Sequence, residues 1–189
     1  MDTESIYLTS LLKRMEMYQD LGNKTFAQLD DKGMGFQPDP ESNSISTIVR
    51  HMHGNMLSRF TNFLTEDGEK PWRDRDSEFE GKAASTTEVV HLWEEGWDLT
   101  LGVIRSLEGS DLGKTVTIRG ESLTVLDALN RQLAHYAYHT GQIVYLGKVI
   151  RSDHWKSLSI PKRGAKHTIP KRGSKHTNPK RGAKHTNDE

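Results

Sequence analysis

Apolar residues recur at spacings of three and four along four long segments of this chain of 189 residues. This periodicity predicts four amphipathic helices, at about Glu4–Leu29, Ile45–Leu64, Thr87–Leu107 and Thr124–Ile150. Strand signals are nearly absent, and each apolar stripe must be buried against another. The pattern therefore predicts an all-α fold, a four-helix bundle. Its later connections are longer than simple hairpins, which indicates at least one crossover.

Residues with short polar side chains mark where three of these helices begin. Such a side chain accepts a hydrogen bond from a free N–H group of the first turn. Thr3 is the predicted N-cap of the first helix, Asn43 or Ser44 of the second, and Thr86 or Thr87 of the third.

A short stretch ahead of the last helix differs from the rest of the chain. Between Lys114 and Leu123 the sequence reads TVTIRGESL, which alternates briefly around a glycine. This alternation predicts a small hairpin or an extended crossover. The stretch is too short to build a larger sheet, so the prediction of an all-α fold stands.

The C-terminal part consists of three nearly identical copies of a nonapeptide. The copies read IPKRGAKHT, IPKRGSKHT and NPKRGAKHT, and they carry nine Lys and Arg without an acidic residue. A segment without apolar periodicity cannot offset the entropy lost on ordering, about 1–2 kcal/mol per residue. We therefore predict a folded domain at 1–159 and a disordered basic tail at 160–189.

The charges of the two parts differ in sign. Positions 1–159 hold 17 basic and 24 acidic residues, a net charge of −7. An acidic body is a poor platform for phosphate, so nucleic acid is not an expected partner except through the tail. The chain has no cysteine and no apolar stretch of the roughly 20 residues that span a bilayer. We expect a cytoplasmic protein without a membrane segment.

The motif HYAYH places two histidines on one face of the last predicted helix. His135 and His139 are four residues apart, the spacing by which one helix presents two imidazoles to one ion. The HExxH proteases share this spacing, but Tyr136 follows His135 where they have their catalytic Glu. Protease chemistry is therefore excluded, and a pair with a surface or packing role is the alternative to a metal site.

A helical wheel leaves the third ligand open between two histidines. His51 lies at the flank of its helix's apolar stripe, as His135 and His139 do on theirs, whereas His53 lies closer to the stripe. Residues two apart point about 200° from each other, so only one of the two can face the site. His91 is interpreted as a solvated partner of Glu95. The stripe of the last helix is predicted to consist of Leu126, Leu129, Leu133, Ala137 and Val144.

Two sequence blocks carry a resemblance to a known family. They are SISTIVRHMHGNMLSRFTNFLTEDGEKPWRDRDSEF and HYAYHTGQIVYLGK, and they resemble the DinB/YfiT-like metalloenzyme superfamily, in particular a subfamily of unassigned function. The resemblance implies a four-helix bundle in which one His of the second helix and an HxxxH pair of the fourth bind zinc or nickel. The matching positions are His51, His135 and His139, so the resemblance favours His51 over His53.

The resemblance also implies an activity, because characterised relatives join a low-molecular-weight thiol such as bacillithiol, mycothiol or glutathione to an electrophile. Three neutral imidazoles would leave a bound ion its full charge and an open position, where an incoming thiol loses its proton. We therefore expect a metal-dependent thiol transferase. The alternative is a non-catalytic, stress-associated metal-binding bundle.

Several other residues are candidates for supporting roles. Asn55 and Gln142, each one turn beyond a histidine, are predicted to orient the imidazoles. Trp72, Arg73 and Arg75 belong to a charged loop that is predicted to clamp carboxylates or cover the site. Exposed bundle faces also lead us to expect a homodimer.

Overall fold

The computed structural model describes residues 2–80 and 84–159, and this part of the chain is mostly helical. Its long helices are α1 (Thr3–Phe26), α3 (Ile45–Phe60), α5 (Thr86–Ser106) and α6 (Val125–Arg151). Two helices of a single turn, α2 (Asp31–Met34) and α4 (Ser77–Glu80), lie in the connections. The four predicted long helices are therefore all present, with different ends.

The chain divides into a unit of Met1–Leu158 and a unit of Ser159–Glu189. The predicted disordered tail at 160–189 lies outside the described residues. Within the described part, none of the helices combines the length and the apolar character that crossing a bilayer requires.

The N-cap residues predicted from the sequence are correct for one helix and wrong for two. Ser44 caps α3 through a hydrogen bond from the N–H of Thr47, as one of the two predictions had it. The predicted cap of α1 was wrong by one residue and those of α5 by one or two, because Asp2 and Ser85 accept the N–H groups instead. Both are better N-caps than threonine, and the threonines that follow them enter the first turn.

Two helices are shorter than their apolar patterns suggested. α1 ends at Phe26 and α3 ends at Phe60, three and four residues before the predicted ends. Asn62 then adopts a positive φ of 51°, which no α-helix can continue through. The apolar residues beyond it, such as the buried Phe63, pack from a turn rather than from the helix.

The buried face of α6 is rotated by one residue from the predicted stripe. Leu126 is 39% exposed, whereas Gln132 and Thr140 are buried. Polar residues at buried positions hide the true face from a pattern that counts apolar residues only. The residues that α6 buries are Val125, Ala128, Leu129, Gln132, Tyr136, Thr140, Ile143, Leu146 and Gly147.

The four long helices share one core. α1 packs against α5 and α6, and α3 packs against the same two helices. A series of aromatic edge contacts crosses this core, with ring centroids 5.2 Å apart between Phe26 and Trp93, and 5.5 Å apart from Trp93 to Trp97 and from Trp97 to Tyr136. Tyr136 is fully buried and neighbours His135 in sequence, so the core supports the helix that carries two of the candidate ligands.

A hairpin connects α5 to α6, as the alternation between Lys114 and Leu123 predicted. Strands β1 (Thr115–Ile118) and β2 (Glu121–Thr124) pair antiparallel around a two-residue turn of Arg119 and Gly120, both with positive φ. These φ values are those of the tight turns that match the twist of two-stranded ribbons. The small hairpin is the only sheet of the described residues.

One carboxylate fastens this turn to the loop after α3. The carboxylate of Asp67 accepts the N–H groups of Arg119 at 2.9 Å and Gly120 at 2.8 Å, and it also accepts the N–H of Glu69. These backbone hydrogen bonds, led by that of Glu69, lower the pKa of Asp67 to about 2. The hairpin turn is thereby held in a defined position beside α3.

Candidate metal centre

Three histidine side chains from two helices meet at one flank of the core. The Nε2 atom of His135 lies 3.3 Å from Nε2 of His51 and 3.0 Å from Nε2 of His139. One nitrogen from each of the three rings lies within 4.8 Å of the other two. The structure therefore brings together the three predicted ligands, in an arrangement that can hold a metal ion.

The outward nitrogens of two of these rings each have an acceptor. Nδ1 of His51 donates to Oε2 of Glu78 over 2.9 Å, and Nδ1 of His139 donates to Oε1 of Gln142 over 2.8 Å. A neutral imidazole that donates through Nδ1 has its lone pair on Nε2. His51 and His139 thus direct lone pairs toward His135.

The positions of the three Nε2 atoms are better explained by coordination of one shared cation than by hydrogen bonds among the three rings. Nε2 of His135 carries at most one hydrogen, so it can donate to only one of the two lone pairs that face it. A cation between the three Nε2 atoms satisfies all of them at once. With metal–nitrogen distances of about 2.0–2.1 Å, tetrahedral geometry separates ligand nitrogens by about 3.3–3.4 Å, close to the observed 3.0 and 3.3 Å.

The protonation of the cluster also suits a metal ion. Burial, with the neighbouring His139 and His51, lowers the pKa of His135 to about 3. Burial likewise lowers the pKa of His139. Both rings are therefore neutral at pH 7, the form in which imidazole binds metals.

Glu78, which sequence reasoning missed, holds the ligand His51 in place. Its carboxylate lies in α4 and also receives two hydrogen bonds from Arg73, at 2.8 Å from Nε and 3.0 Å from Nη2. Burial raises the pKa of Glu78, but the donations from His51 and Arg73 outweigh it and the net shift is downward. Glu78 is thus an ionised carboxylate behind a histidine, the usual support of a metal ligand.

The predicted supporting residues have mixed outcomes. Gln142 orients His139 as predicted, whereas Asn55 accepts from the hydroxyl of Tyr136 at 3.0 Å rather than from a histidine. Arg73 binds a carboxylate of the protein itself, that of Glu78, and its side chain lines the cavity beside the histidines. Trp72 is 56% exposed and does not line the cavity beside the histidines.

The competing histidines occupy other surroundings. Nε2 of His53 lies 2.9 Å from Oε2 of Glu95 on the neighbouring α5, away from the cluster. Glu95 was predicted to pair with His91, and this prediction was wrong because His53 reaches Glu95 across the helix interface. The geometry therefore agrees with the choice of His51, although apolar periodicity favoured His53.

A polar cavity of about 340 Å³ opens beside His51 and His135. Its wall contains guanidinium groups from several elements and no carboxylate. The residues that line it are His51, Asn55, Arg59, Arg73, Arg75, Arg119, Arg131, Gln132 and His135. A metal ion on the three histidines would thus be reachable by a small molecule.

Replacing Glu78 by glutamine should weaken metal binding by about 10–100-fold, the usual effect of losing an oriented carboxylate behind a ligand. Glu95→Gln is the matched control, since Glu95 makes the same contact with His53, which does not belong to the cluster. Competition with a chelator of known affinity measures both proteins, and thermal unfolding verifies that each is folded. Equal affinities in the two variants would contradict a supporting role for Glu78.

Gly54 lies one turn from the contact between His51 and Glu78. A Cβ atom at this position would overlap Oε1 of Glu78 and lie 2.9 Å from its Cδ. The carboxylate would have to leave its place, so Gly54→Ala should lower metal affinity by about 10–100-fold, as loss of the carboxylate does. Gly102→Ala is the control because a Cβ there meets open space. Unchanged affinity in Gly54→Ala would show that Glu78 can move without consequence.

The comparison with known proteins identifies a family. No curated protein matches the chain. One family profile matches residues 2–164, a range that includes all four long helices and the three clustered histidines. Because this match covers most of the 189 residues, the chain belongs to the family described as protein of unknown function, DUF1572.

Proposed function

We propose that this protein is a metal-dependent transferase that activates a low-molecular-weight thiol. The observation that carries the proposal is the convergence of three imidazoles, through Nε2, at the edge of an open cavity. We further propose that its four long helices form a four-helix bundle of the DinB/YfiT-like type and that the ion is zinc or nickel. The arrangement of α1 and α3 against α5 and α6 supports this fold.

The chain's own groups prepare the site for this chemistry. Glu78 and Gln142 hold the Nδ1 protons of His51 and His139, which leaves the Nε2 lone pairs free for coordination. No protein carboxylate is among the three clustered ligands, so a bound divalent ion retains its full charge. Such an ion supplies Lewis acidity, which lowers the pKa of a coordinated thiol.

The reaction needs no nucleophile from the protein. The chain has no cysteine, so the sulfur must come from a small molecule. The thiol proton passes to solvent, the new sulfur–carbon bond forms, and the electrophile's leaving group departs with the bonding electron pair. The role of the protein is to hold the two reactants next to each other in the cavity.

Cobalt substitution tests this proposal. Titration of the cobalt-loaded full chain with small thiols should add a sulfur-to-metal charge-transfer band and release protons, since coordination requires the thiolate. A model electrophile should then alkylate the thiol faster than in the metal-free control. Sulfur coordination without acceleration would favour the non-catalytic metal-binding alternative. A protein that coordinates no thiol would contradict the transferase proposal.

A further inference from the structure

Five arginines line the cavity next to the histidines, in a body that is otherwise acidic. They are Arg59, Arg73, Arg75, Arg119 and Arg131. Positions 1–159 have a net charge of −7, so this accumulation of cations is local and does not reflect a generally basic surface. A cavity with walls of one charge concentrates ligands of the opposite charge.

Two of the five guanidinium groups are committed to the protein. Arg73 is bound to Glu78, as described above, and only 2% of its side chain is exposed. Arg59 is also buried and donates to the carbonyl oxygen of Gly68 and to Glu69. These two arginines organise the cavity wall and contribute positive potential without being free to bind a ligand.

The other three guanidinium groups are incompletely neutralised. Arg75 lies over the ring of Phe79, 5.5 Å from its centroid, and pairs with no carboxylate among the described residues. Arg119 shares the carboxylate of Glu69 with Arg59. Arg131 approaches Glu121 only to 3.6 Å, and the two side chains are 45% and 67% exposed.

The charges around the cavity do not cancel. The five guanidinium groups have three carboxylate side chains as ion-pair partners among the described residues, those of Glu69, Glu78 and Glu121, so two positive charges are not matched within these pairs. A divalent ion on the histidines would add two more. A ligand that enters this space is therefore expected to bring two or more negative charges.

Separate elements bring the three available arginines to the site. Arg131 lies one helical turn before His135 on α6, and Arg75 lies in the segment that leads into α4. Arg119 occupies the hairpin turn that Asp67 fastens to the loop after α3. Because the backbone of each arginine is fixed independently of a ligand, little order has to be created when an anion binds.

We infer that Arg75, Arg119 and Arg131 form an anion-binding subsite and that the small molecule that reacts at the histidines is a dianion. Guanidinium groups match carboxylate and phosphate oxygens with paired hydrogen bonds, so the dianion is a dicarboxylate or a phosphate ester. The inference rests on the proposed function only in placing the reacting thiol or electrophile beside the metal. The subsite itself depends on the arginines.

The first test compares two thiols on the cobalt-loaded full chain, mercaptosuccinate with two carboxylates and thioglycerol with none. At low ionic strength, mercaptosuccinate should bind at least about tenfold more tightly, because its carboxylates form charge-assisted hydrogen bonds with the arginines. The double variant Arg119→Gln/Arg131→Gln should lose this preference, because the affinity for mercaptosuccinate should fall more than the affinity for thioglycerol. Arg105→Gln is the matched control, because Arg105 is an exposed arginine paired with Glu16. The C-terminal repeats are present in every protein compared, so their cations affect all of them equally.

The second test omits the thiol and measures succinate and inorganic phosphate by calorimetry on the zinc-loaded protein. Binding of either anion that disappears in the double variant supports the subsite, and the anion that binds more tightly identifies the group it recognises. Anion binding that depends on the arginines, without any thiol coordination, would support the proposed subsite and contradict the proposed thiol transfer. Equal coordination of both thiols, or anion binding that persists in the double variant, would overturn the subsite and leave thiol transfer standing.

Discussion

His135→Ala should abolish stoichiometric metal binding. Its Nε2 atom lies between those of His51 and His139, so both short contacts of the cluster are lost together. Structural zinc sites with four ligands contribute about 10–16 kcal/mol, or about 2.5–4 kcal/mol per ligand, which corresponds to a loss of roughly 60- to 700-fold in affinity. Elemental analysis of the purified protein, without an affinity tag, measures the stoichiometry.

His51→Ala and His139→Ala should have comparable effects, whereas His53→Ala and His91→Ala should keep the metal. His53 provides a strict control, since it lies two residues from His51 on the same helix and pairs with Glu95. Thermal unfolding should show that all five variants fold. Loss of metal in His53→Ala together with retention in His51→Ala would show that the wrong histidine of α3 was chosen.

Trp97→Ala should cost about 3–5 kcal/mol of unfolding free energy, the usual loss for a buried tryptophan. The side chain is fully buried and lies at the centre of the aromatic series, in edge contact with Trp93 and Tyr136. Its indole N–H has no partner among the described residues, so the loss is one of packing alone. For a domain of this size the melting temperature should fall by about 6–20 °C.

Trp72→Ala is the matched control, because this tryptophan is 56% exposed. Its unfolding free energy should stay within about 0.5 kcal/mol of the parent protein. Calorimetry of the two variants under the same buffer and metal conditions makes the comparison. If Trp97→Ala and Trp72→Ala have the same melting temperature, the aromatic series does not contribute the stability assigned to it.

The long helices were predictable because apolar periodicity extends over several turns in each of them. The last helix shows the limit of that signal. Gln132 and Thr140 are buried on α6, so the apolar pattern pointed about 100° away from the face that packs. For the same reason periodicity alone favoured His53 on α3, and only the resemblance of the sequence blocks led to His51.

The role of Glu78 could not be predicted from the sequence, for a different reason. It lies in a helix of four residues, too short for any periodicity, within a loop that contains many charges. What distinguishes this carboxylate is its contact with His51, a residue 27 positions earlier in the chain. Neither the composition nor the spacing of residues in the sequence predicts such a contact. Arg75, by contrast, was recognised from the sequence as a candidate for binding carboxylates, because it belongs to the same charged loop.

The carboxylate of Asp67 joins two separate loops, and this has a consequence for how the cavity opens. Its hydrogen bonds to Arg119 and Gly120, with the backbone bond from Gly68 to the hairpin, connect the loop after α3 to the turn between β1 and β2. Segments joined in this way unfold locally as one unit. The amide protons of these three residues should therefore exchange with solvent at a common rate, slower when a dianion is bound. The loop after α3 and the hairpin turn that carries Arg119 would then open together and release the ligand in one cooperative step, while the histidines on α3 and α6 stay in place.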